Sequence, residues 1–231
     1  MNSSRKSASR IAQVRLPFPI IYEDADILVI DKPTGLLTST TPREKRQTAL
    51  ALVRRYVEAS DSHSRAGLIH RLDRDASGLL VFSRNQRAFA ALKRQFFRHD
   101  VDRVYLALVQ GVPNPRSGRI ESWLVERADG TVRSTRRGAA GQRAISDYET
   151  LQTDHRQSLL RVRLLTGRKH QIRVHLSDRG CPIVNDPLYG PKKPDGRMML
   201  AAVELALDHP RTGKRCTFSI PPPREMRQAN A

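Results

Sequence analysis

Short apolar runs separated by polar turns divide most of the chain into strands, and only three stretches show the three-to-four-residue spacing of a helix. The segment PIIYEDADILVIDKP reads as two β runs around an acidic turn at Glu23 to Asp26, followed by a loop at Lys32-Pro33-Thr34-Gly35. Thr48 to Ala59 is expected to be a helix, with Leu52, Tyr56 and Ala59 on its buried stripe. A strand at Leu68-Ile69, a polar loop from His70 to Gly78 and a strand from Leu79 to Ser83 come next. Asn85 is placed to cap a second helix whose Phe89, Leu92 and Phe96 face the core, while Arg87, Lys93, Arg94 and Arg98 mostly take the other faces. Thr166 is expected to cap a third helix, with Ile172 and Leu176 turned inward. Further strands are expected at Tyr105 to Val109, Ile120 to Val125, Ala144 to Leu151, Leu159 to Leu165, Met198 to Leu207 and Thr217 to Ile220. Pro113 to Arg119 and Asp129 to Gly141 read as long surface loops. Three helices are too few for a βαβ alternation, so the pattern predicts an α+β fold on a mixed, mostly antiparallel sheet. One folded unit is expected over residues 16–222, between a basic tail at 1–15 and a second tail at 223–231.

Composition adds a partner. The 231 residues include 41 Lys plus Arg against 23 Asp plus Glu, a formal net charge of +18, so something anionic is expected to bind. The basic residues cluster: Arg65, Arg71 and Arg74; Arg127 to Arg137; and Arg168, Lys169, Arg173 and Arg179. Separate clusters of this kind suit a surface that tracks phosphates. No run approaches the roughly 20 apolar residues of a spanning helix, which argues against a membrane partner. Cys181 and Cys216 form no C-x-x-C or Cys/His spacing, so neither structural zinc nor a disulfide framework is expected, and a cytoplasmic, reducing setting fits. The opening MNSSRKSASR lacks the apolar stretch of a secretory signal; it reads as a mobile basic tail, although a transit peptide has similar composition.

Two segments carry candidate chemistry. In LIHRLDRDASGLLVFS, Asp73 sits in a loop beside Arg71, Arg74 and Asp75, and a neighbouring guanidinium favours an ionised carboxylate. That makes Asp73 a candidate nucleophile or base; the alternative is a surface turn laced with ordinary ion pairs. The H-R-D loop of protein kinases looks similar, but Leu72 intervenes and no kinase glycine loop or metal site accompanies it. Two arginines in the loop also make a poor setting for a divalent cation, so no metal is expected. In LLTGRKHQIRVHLSDRG, Arg168, Lys169 and His170 crowd the expected first turn of the third helix, where each cation is unfavourable by roughly 0.3–1 kcal/mol. A bound phosphate would remove the conflict. His175 shows no partner, and Tyr105 is either a packing residue or a platform on which a base stacks.

In this order the segments resemble the RluA-type pseudouridine synthases. The matching residues are Asp31-Lys32-Pro33-Thr34-Gly35-Leu36-Leu37; His70-Arg71-Leu72-Asp73 with Ser77-Gly78-Leu79-Leu80; Tyr105; Thr166-Gly167-Arg168 with His170 to His175; and Pro182-Ile183, Asp186 and Tyr189-Gly190. The resemblance extends from about Ile20 to Pro221 and departs from the family pattern at Ala76, Lys169 and Ala201, changes that bear on substrate preference. It implies a central sheet split by an RNA-binding cleft with the catalytic Asp73 at its floor. Arg71 would help push the target uridine out of its stack. Tyr105 would pack against the flipped uracil and serve as a base, Arg173 would pair with Asp73, and Leu200 would line the base pocket. Lys32, Arg71 and Arg168 would contact phosphates, with Lys169 and His170 beside them. The implied activity needs no cofactor, acts on stem-loops of ribosomal or transfer RNA, and is expected of a monomer. The pattern starts near residue 20, so the resemblance implies a member without the N-terminal S4 domain that many relatives carry. A non-catalytic RNA-binding or ribosome-associated protein that keeps the fold is the alternative, and a metal-dependent nuclease is a third.

Overall fold

The computed structural model describes residues 15–40, 46–62, 64–135, 141–154, 156–191 and 195–228. All of the expected N-terminal tail except Arg15, and Arg136 and Arg137 of the second basic cluster, lie outside the described residues.

Among the described residues, eleven strands form one sheet: β1 (Ile20–Glu23), β2 (Ile27–Lys32), β3 (Gly67–Leu68), β4 (Ser77–Ser83), β5 (Asp102–Gln110), β6 (Ser117–Glu126), β7 (Val132–Thr135), β8 (Gln142–Thr153), β9 (Gln157–Leu164), β10 (Leu200–Asp208) and β11 (Arg215–Ser219). Four helices among the described residues accompany them: α1 (Ala49–Ser60), α2 (Gln86–Arg98), α3 (Gln171–Asp178) and α4 (Arg224–Gln228). The spatial order is β1-β2-β4-β10-β5-β9-β8-β6-β7, with β11 pairing β10 and β3 pairing β4. Of the pairings between these strands, only β4–β10 is parallel, so the expected α+β architecture with a mixed, mostly antiparallel sheet is what the chain adopts. No helix among the described residues is long and apolar enough to cross a membrane.

Alternation along β2 and β4 feeds two separate cores, because successive side chains of a strand point to opposite faces. Leu28, Ile30, Leu80 and Phe82 pack with α1, α3 and the inward residues of β5, β9 and β10. Ile27, Val29, Leu79 and Val81 pack with Leu92 of α2 and Phe218 of β11. All seven positions of β4 are buried, as expected of a central strand covered on both sides. Gly78 is required where β4 meets β10: it has φ +111°, and a Cβ there would lie 2.2 Å from the carbonyl oxygen of Ala202.

Five local expectations need correction. The buried stripe of α1 is Ala49, Val53 and Val57, while Leu52 and Tyr56 are half-buried beside it and Ala59 is exposed. Thr48 caps that helix, accepting from the Ala51 N–H, and Asn85 caps α2 as expected. Phe96 packs against the second core as expected but is only half-buried, stacking on His70 and lining the wall of a cleft. Thr166 does not cap α3; His170 does, in the left-handed region at φ 54°, so Arg168 and Lys169 precede the helix. Part of the expected loop at Asp129 to Gly141 is β7, an edge strand held by four register pairs with β6. Finally, the stretch read as a C-terminal tail contains α4, whose Met226 is fully buried.

Candidate active site

Asp73 lies in the loop between β3 and β4, and the backbone on both sides of it is tied to the segment after β2. The Thr38 hydroxyl donates to the Leu72 carbonyl at 2.7 Å and accepts from the Leu72 N–H at 3.2 Å. The Thr34 hydroxyl donates to the Asp75 carbonyl at 2.7 Å, and the Gly35 N–H to the Arg74 carbonyl at 2.9 Å. Lys32 completes the staple: its Nζ donates to the carbonyls of Pro33, Leu36 and Arg74 at 2.8, 2.8 and 3.2 Å. Its side chain is fully buried, so it does not contact a phosphate, contrary to expectation. Burial pulls its ammonium down to about 8, despite the opposing charges of Asp73, Asp75 and Asp31. Neither loop arginine reaches Asp73. Arg74 forms a two-bond pair with Asp75 at 2.8 and 3.2 Å, and Arg71 is exposed.

The partner of Asp73 comes from α3, a hundred residues downstream. Arg173 Nη1 donates to Asp73 Oδ2 at 3.1 Å, while its Nε and Nη2 donate to Asp186 Oδ2 and Oδ1, both at 2.8 Å. Asp186 also accepts from the N–H groups of Leu188 and Tyr189. The Arg173 and Asp186 side chains are 2% and 0% exposed, against 22% for Asp73. Burial opposes the charge on Arg173, but the hydrogen bond to Asp186 and the charges of Asp73 and Asp186 outweigh it and raise the guanidinium above its ordinary value. Asp186, pushed up by burial, is pulled below the usual carboxylate range by Arg173 and the two N–H donors. The Tyr189 ring lies under the Arg173 guanidinium at 5.1 Å; its hydroxyl accepts from the Val132 N–H and shares a 2.8 Å hydrogen bond with His170 Nδ1. Asp73 Oδ1 has no hydrogen-bond partner among the described residues, so one carboxylate oxygen is held and the other is available.

Around Asp73 opens a cleft of about 600 Å³, within the range of ligand sites. Arg71, Arg168, Lys169, His170, Tyr105, Leu200 and Arg173 all line it, so the structure brings together every expected site residue except Lys32. Among the described residues, six of its lining side chains are Lys or Arg, and the one carboxylate is Asp73. Lys169 also pairs with Glu126 at 2.5 Å, and Arg168 Nε donates to the Arg143 carbonyl at 3.1 Å. Before α3, Gln171 folds back and takes one of the backbone donors that a phosphate was expected to use. Its Oε1 accepts from the Arg168 N–H at 3.0 Å and from the Thr166 hydroxyl at 2.8 Å. Tyr105 is 6% exposed, and its hydroxyl has no hydrogen-bond partner among the described residues. Burial, opposed by Arg103 and reinforced by Asp73, pushes it up to about 12, so it stays a neutral phenol near pH 7.

Sequence reasoning gave Asp186 no role, although it is the residue that fixes Arg173. Its signal was its place in the matched pattern near Tyr189. His175, which showed no partner in the sequence, is 1% exposed and lies 3.0 Å from each of the Ser146 and Ser122 hydroxyls. A second acidic group, Asp24 and Asp26 with His209, has every carboxylate oxygen already bonded. Tyr22, His209 and backbone N–H groups hold Asp24, while Asn85 and Arg211 hold Asp26. With a guanidinium inside it, the group is a clasp between the turns near β1 and β10 rather than a cation site.

The family model described as RNA pseudouridylate synthase matches residues 26–178. Ribosomal large subunit pseudouridine synthase D of Pseudomonas aeruginosa is 36% identical over 226 residues, covering 90% of this chain and 69% of the relative. An RNA pseudouridine synthase of Chloroflexus aurantiacus is 41% identical over 204 residues, covering 85% of this chain and 63% of the relative. Among solved structures, human RNA pseudouridylate synthase domain containing 4 superposes with a TM-score of 0.77 at 23% identity, covering 91% of this chain and 90% of that one. That likeness speaks for a common fold.

Proposed function

The chain belongs to the RNA pseudouridylate synthase family, and from that premise we propose that it isomerises uridines in structured ribosomal or transfer RNA, as a monomer, with Asp73 as the catalytic carboxylate. The observation that carries the reading is the arrangement at Asp73. One oxygen is held by a buried arginine locked to Asp186, and the other, with no partner among the described residues, lies at the floor of a cleft to which those residues contribute six cations.

Conversion of uridine to pseudouridine breaks N1–C1′ and forms C5–C1′, with no net redox change and no group lost, so it calls for no cofactor. It requires a carboxylate that acts on sugar or base, a wall that holds detached uracil while it turns, and a group that takes the C5 proton. Asp73 supplies the first; attack at C1′, addition to uracil C6 and removal of a 2′ proton are all open to its free oxygen. Arg173 keeps that carboxylate partnered where an isolated buried charge would be costly. Tyr105 and Leu200 supply the wall. The high proton affinity of Tyr105 favours packing against the uracil over service as a base. Extruding a base costs a few kcal/mol, less from a loop than from a duplex. Contacts from exposed Arg71 and Arg168 to phosphates would offset that cost, so stem-loop RNA is the expected substrate.

The test is tritium release from stem-loop RNA labelled at uridine C5, comparing the wild type with Asp73→Asn. Release by the wild type that disappears in the variant supports the assignment. Absence of release from a broad RNA pool would favour a non-catalytic RNA-binding protein on this fold, and undiminished release by the variant would reject Asp73.

A further inference from the structure

The cleft extends beyond the Asp73 site towards the end of α2, where Arg103 presents a charge with nothing to balance it. Its side chain is buried, at 8% exposure, yet it makes no hydrogen bond or ion pair among the described residues, and its Nε is a buried donor without a partner. The adjacent Asp102 is committed elsewhere, to Arg163 and Arg215. The guanidinium lies over the Phe96 ring at 5.6 Å and against Gly167, where a Cβ would come within 2.3 Å of its Nη1. Burial pushes it below its ordinary value. The cation–π contact with Phe96 recovers part of the desolvation, but an unpaired interior charge remains expensive. Among the described residues, the other charged groups lining this end are Lys93 and Arg168, both positive.

We propose that Arg103 binds a backbone phosphate of the substrate RNA beside the flipped uridine, making the α2–β5 end of the cleft a second subsite. This rests on the reading of the chain as an RNA-modifying enzyme. Arg103 and Tyr105 are two apart on β5, so their side chains leave the same face about 7 Å apart, a separation that one nucleotide spans. A phosphodiester supplies the missing charge and two acceptor oxygens for the planar fork of a guanidinium. A uracil carbonyl would supply an acceptor but leave the charge unbalanced. Gly167 fits the same account, since its missing side chain is what leaves room for the guanidinium.

The experiment compares wild type, Arg103→Met and Arg103→Lys on a synthetic stem-loop RNA, measuring affinity between 50 and 200 mM salt, single-turnover tritium release and thermal unfolding. Arg103→Met is expected to bind the RNA about 10–100-fold more weakly, the range of a lost charge-assisted contact, and to flatten the slope of log affinity against log salt by about 0.7. Arg103→Lys is expected to restore the slope with incomplete recovery of affinity. A methylphosphonate at one phosphate flanking the target uridine should weaken wild type and leave Arg103→Met unaffected. Arg103→Met should melt no lower than wild type, because the RNA-free protein gains nothing from the charge. An unchanged salt slope, or a melting point lowered as for a core residue, overturns the proposal. If the wild type releases no tritium while the slope still falls, the catalytic reading fails and the phosphate subsite stands. Normal turnover by the wild type with an unchanged slope in Arg103→Met removes the subsite and leaves the catalytic reading intact.

Discussion

Replacing Asp186 by Asn tests whether the site is built as a relay, with Asp186 fixing Arg173 and Arg173 fixing Asp73. The substitution conserves shape but removes a fully buried charge that accepts two 2.8 Å bonds from Arg173 and two more from backbone N–H groups. An amide has one acceptor oxygen, so if that oxygen keeps the Leu188 and Tyr189 N–H groups, its NH2 faces the Arg173 Nε as donor against donor. Breaking one side of a buried pair costs about 3–5 kcal/mol, because the surviving charge stays in the interior. Against a domain stability of about 5–15 kcal/mol the variant should still fold, with its melting temperature lowered by roughly 6–20 °C. Arg173 would keep its 3.1 Å bond to Asp73 and an Nη2 bond to the remaining oxygen but lose the Nε bond that fixes its plane, and a shift of about 1 Å at the reacting group is worth roughly 100-fold in rate. Urea unfolding and single-turnover tritium release read the two effects separately, with Asp73→Asn as the control. Asp73 is partly exposed, and an Asn there still accepts from Arg173, so that variant should lose activity while staying within about 1 kcal/mol of wild type. The relay is refuted if Asp186→Asn matches wild type in both measurements, or if Asp73→Asn is as destabilising as Asp186→Asn.

Three further outcomes are expected. Burial pulls the His175 imidazole down to about 4, so the unfolded chain binds its proton first as pH falls. This residue's contribution to stability is complete above pH 6.5 and lost towards pH 4, by at most about 3 kcal/mol, so His175→Gln should lose stability less steeply than wild type over that window, where His70, pulled down to about 3 by burial, still contributes. Phe97 is 85% exposed at the cleft mouth, so Phe97→Ala should weaken single-stranded RNA binding by about 1–3 kcal/mol in a titration while leaving the melting temperature unchanged. Lys32→Met should lower the turnover rate by loosening the Asp73 loop, yet leave the salt dependence of RNA binding as in wild type; a flattened slope would mean that Lys32 does reach phosphate after all.

Strand positions were legible because alternation survives in β2 and β4, whose apolar side chains divide between two cores, and in β9, where buried Leu160, Val162 and Leu164 alternate with exposed Arg161 and Arg163. The errors fall where a contact distant in sequence decides. β7 is a strand only because β6 pairs with it, and α4 is anchored by one methionine whose burial no local pattern announces. The start of α3 was misplaced because a threonine before a helical pattern normally caps it. Here the Thr166 hydroxyl is taken by Ile145 and Gln171, and His170 turns the chain instead. Lys32 misled for a related reason. A lysine beside a proline-glycine turn is ordinarily at the surface, and only the folded chain shows three carbonyls converging on its ammonium. The pairing of Arg173 with Asp73 was expected from the resemblance alone, since nothing in either segment's own pattern points to the other.

That long-range pairing has a physical advantage over the local one that the loop sequence suggests. Had Arg71 or Arg74 been the partner of Asp73, an RNA phosphate arriving in the cleft would compete for the same guanidinium and strip the carboxylate as substrate bound. Arg74 is instead occupied by Asp75, and Arg71 is left exposed, where a phosphate can take it at no expense to Asp73. Arg173, at 2% exposure and clamped from behind by Asp186, is beyond the reach of a backbone phosphate. On the proposed reading, the partner that positions the carboxylate and the cations expected to grip RNA are therefore separate side chains on separate elements, so a phosphate entering the cleft would not compete with Asp73 for its arginine.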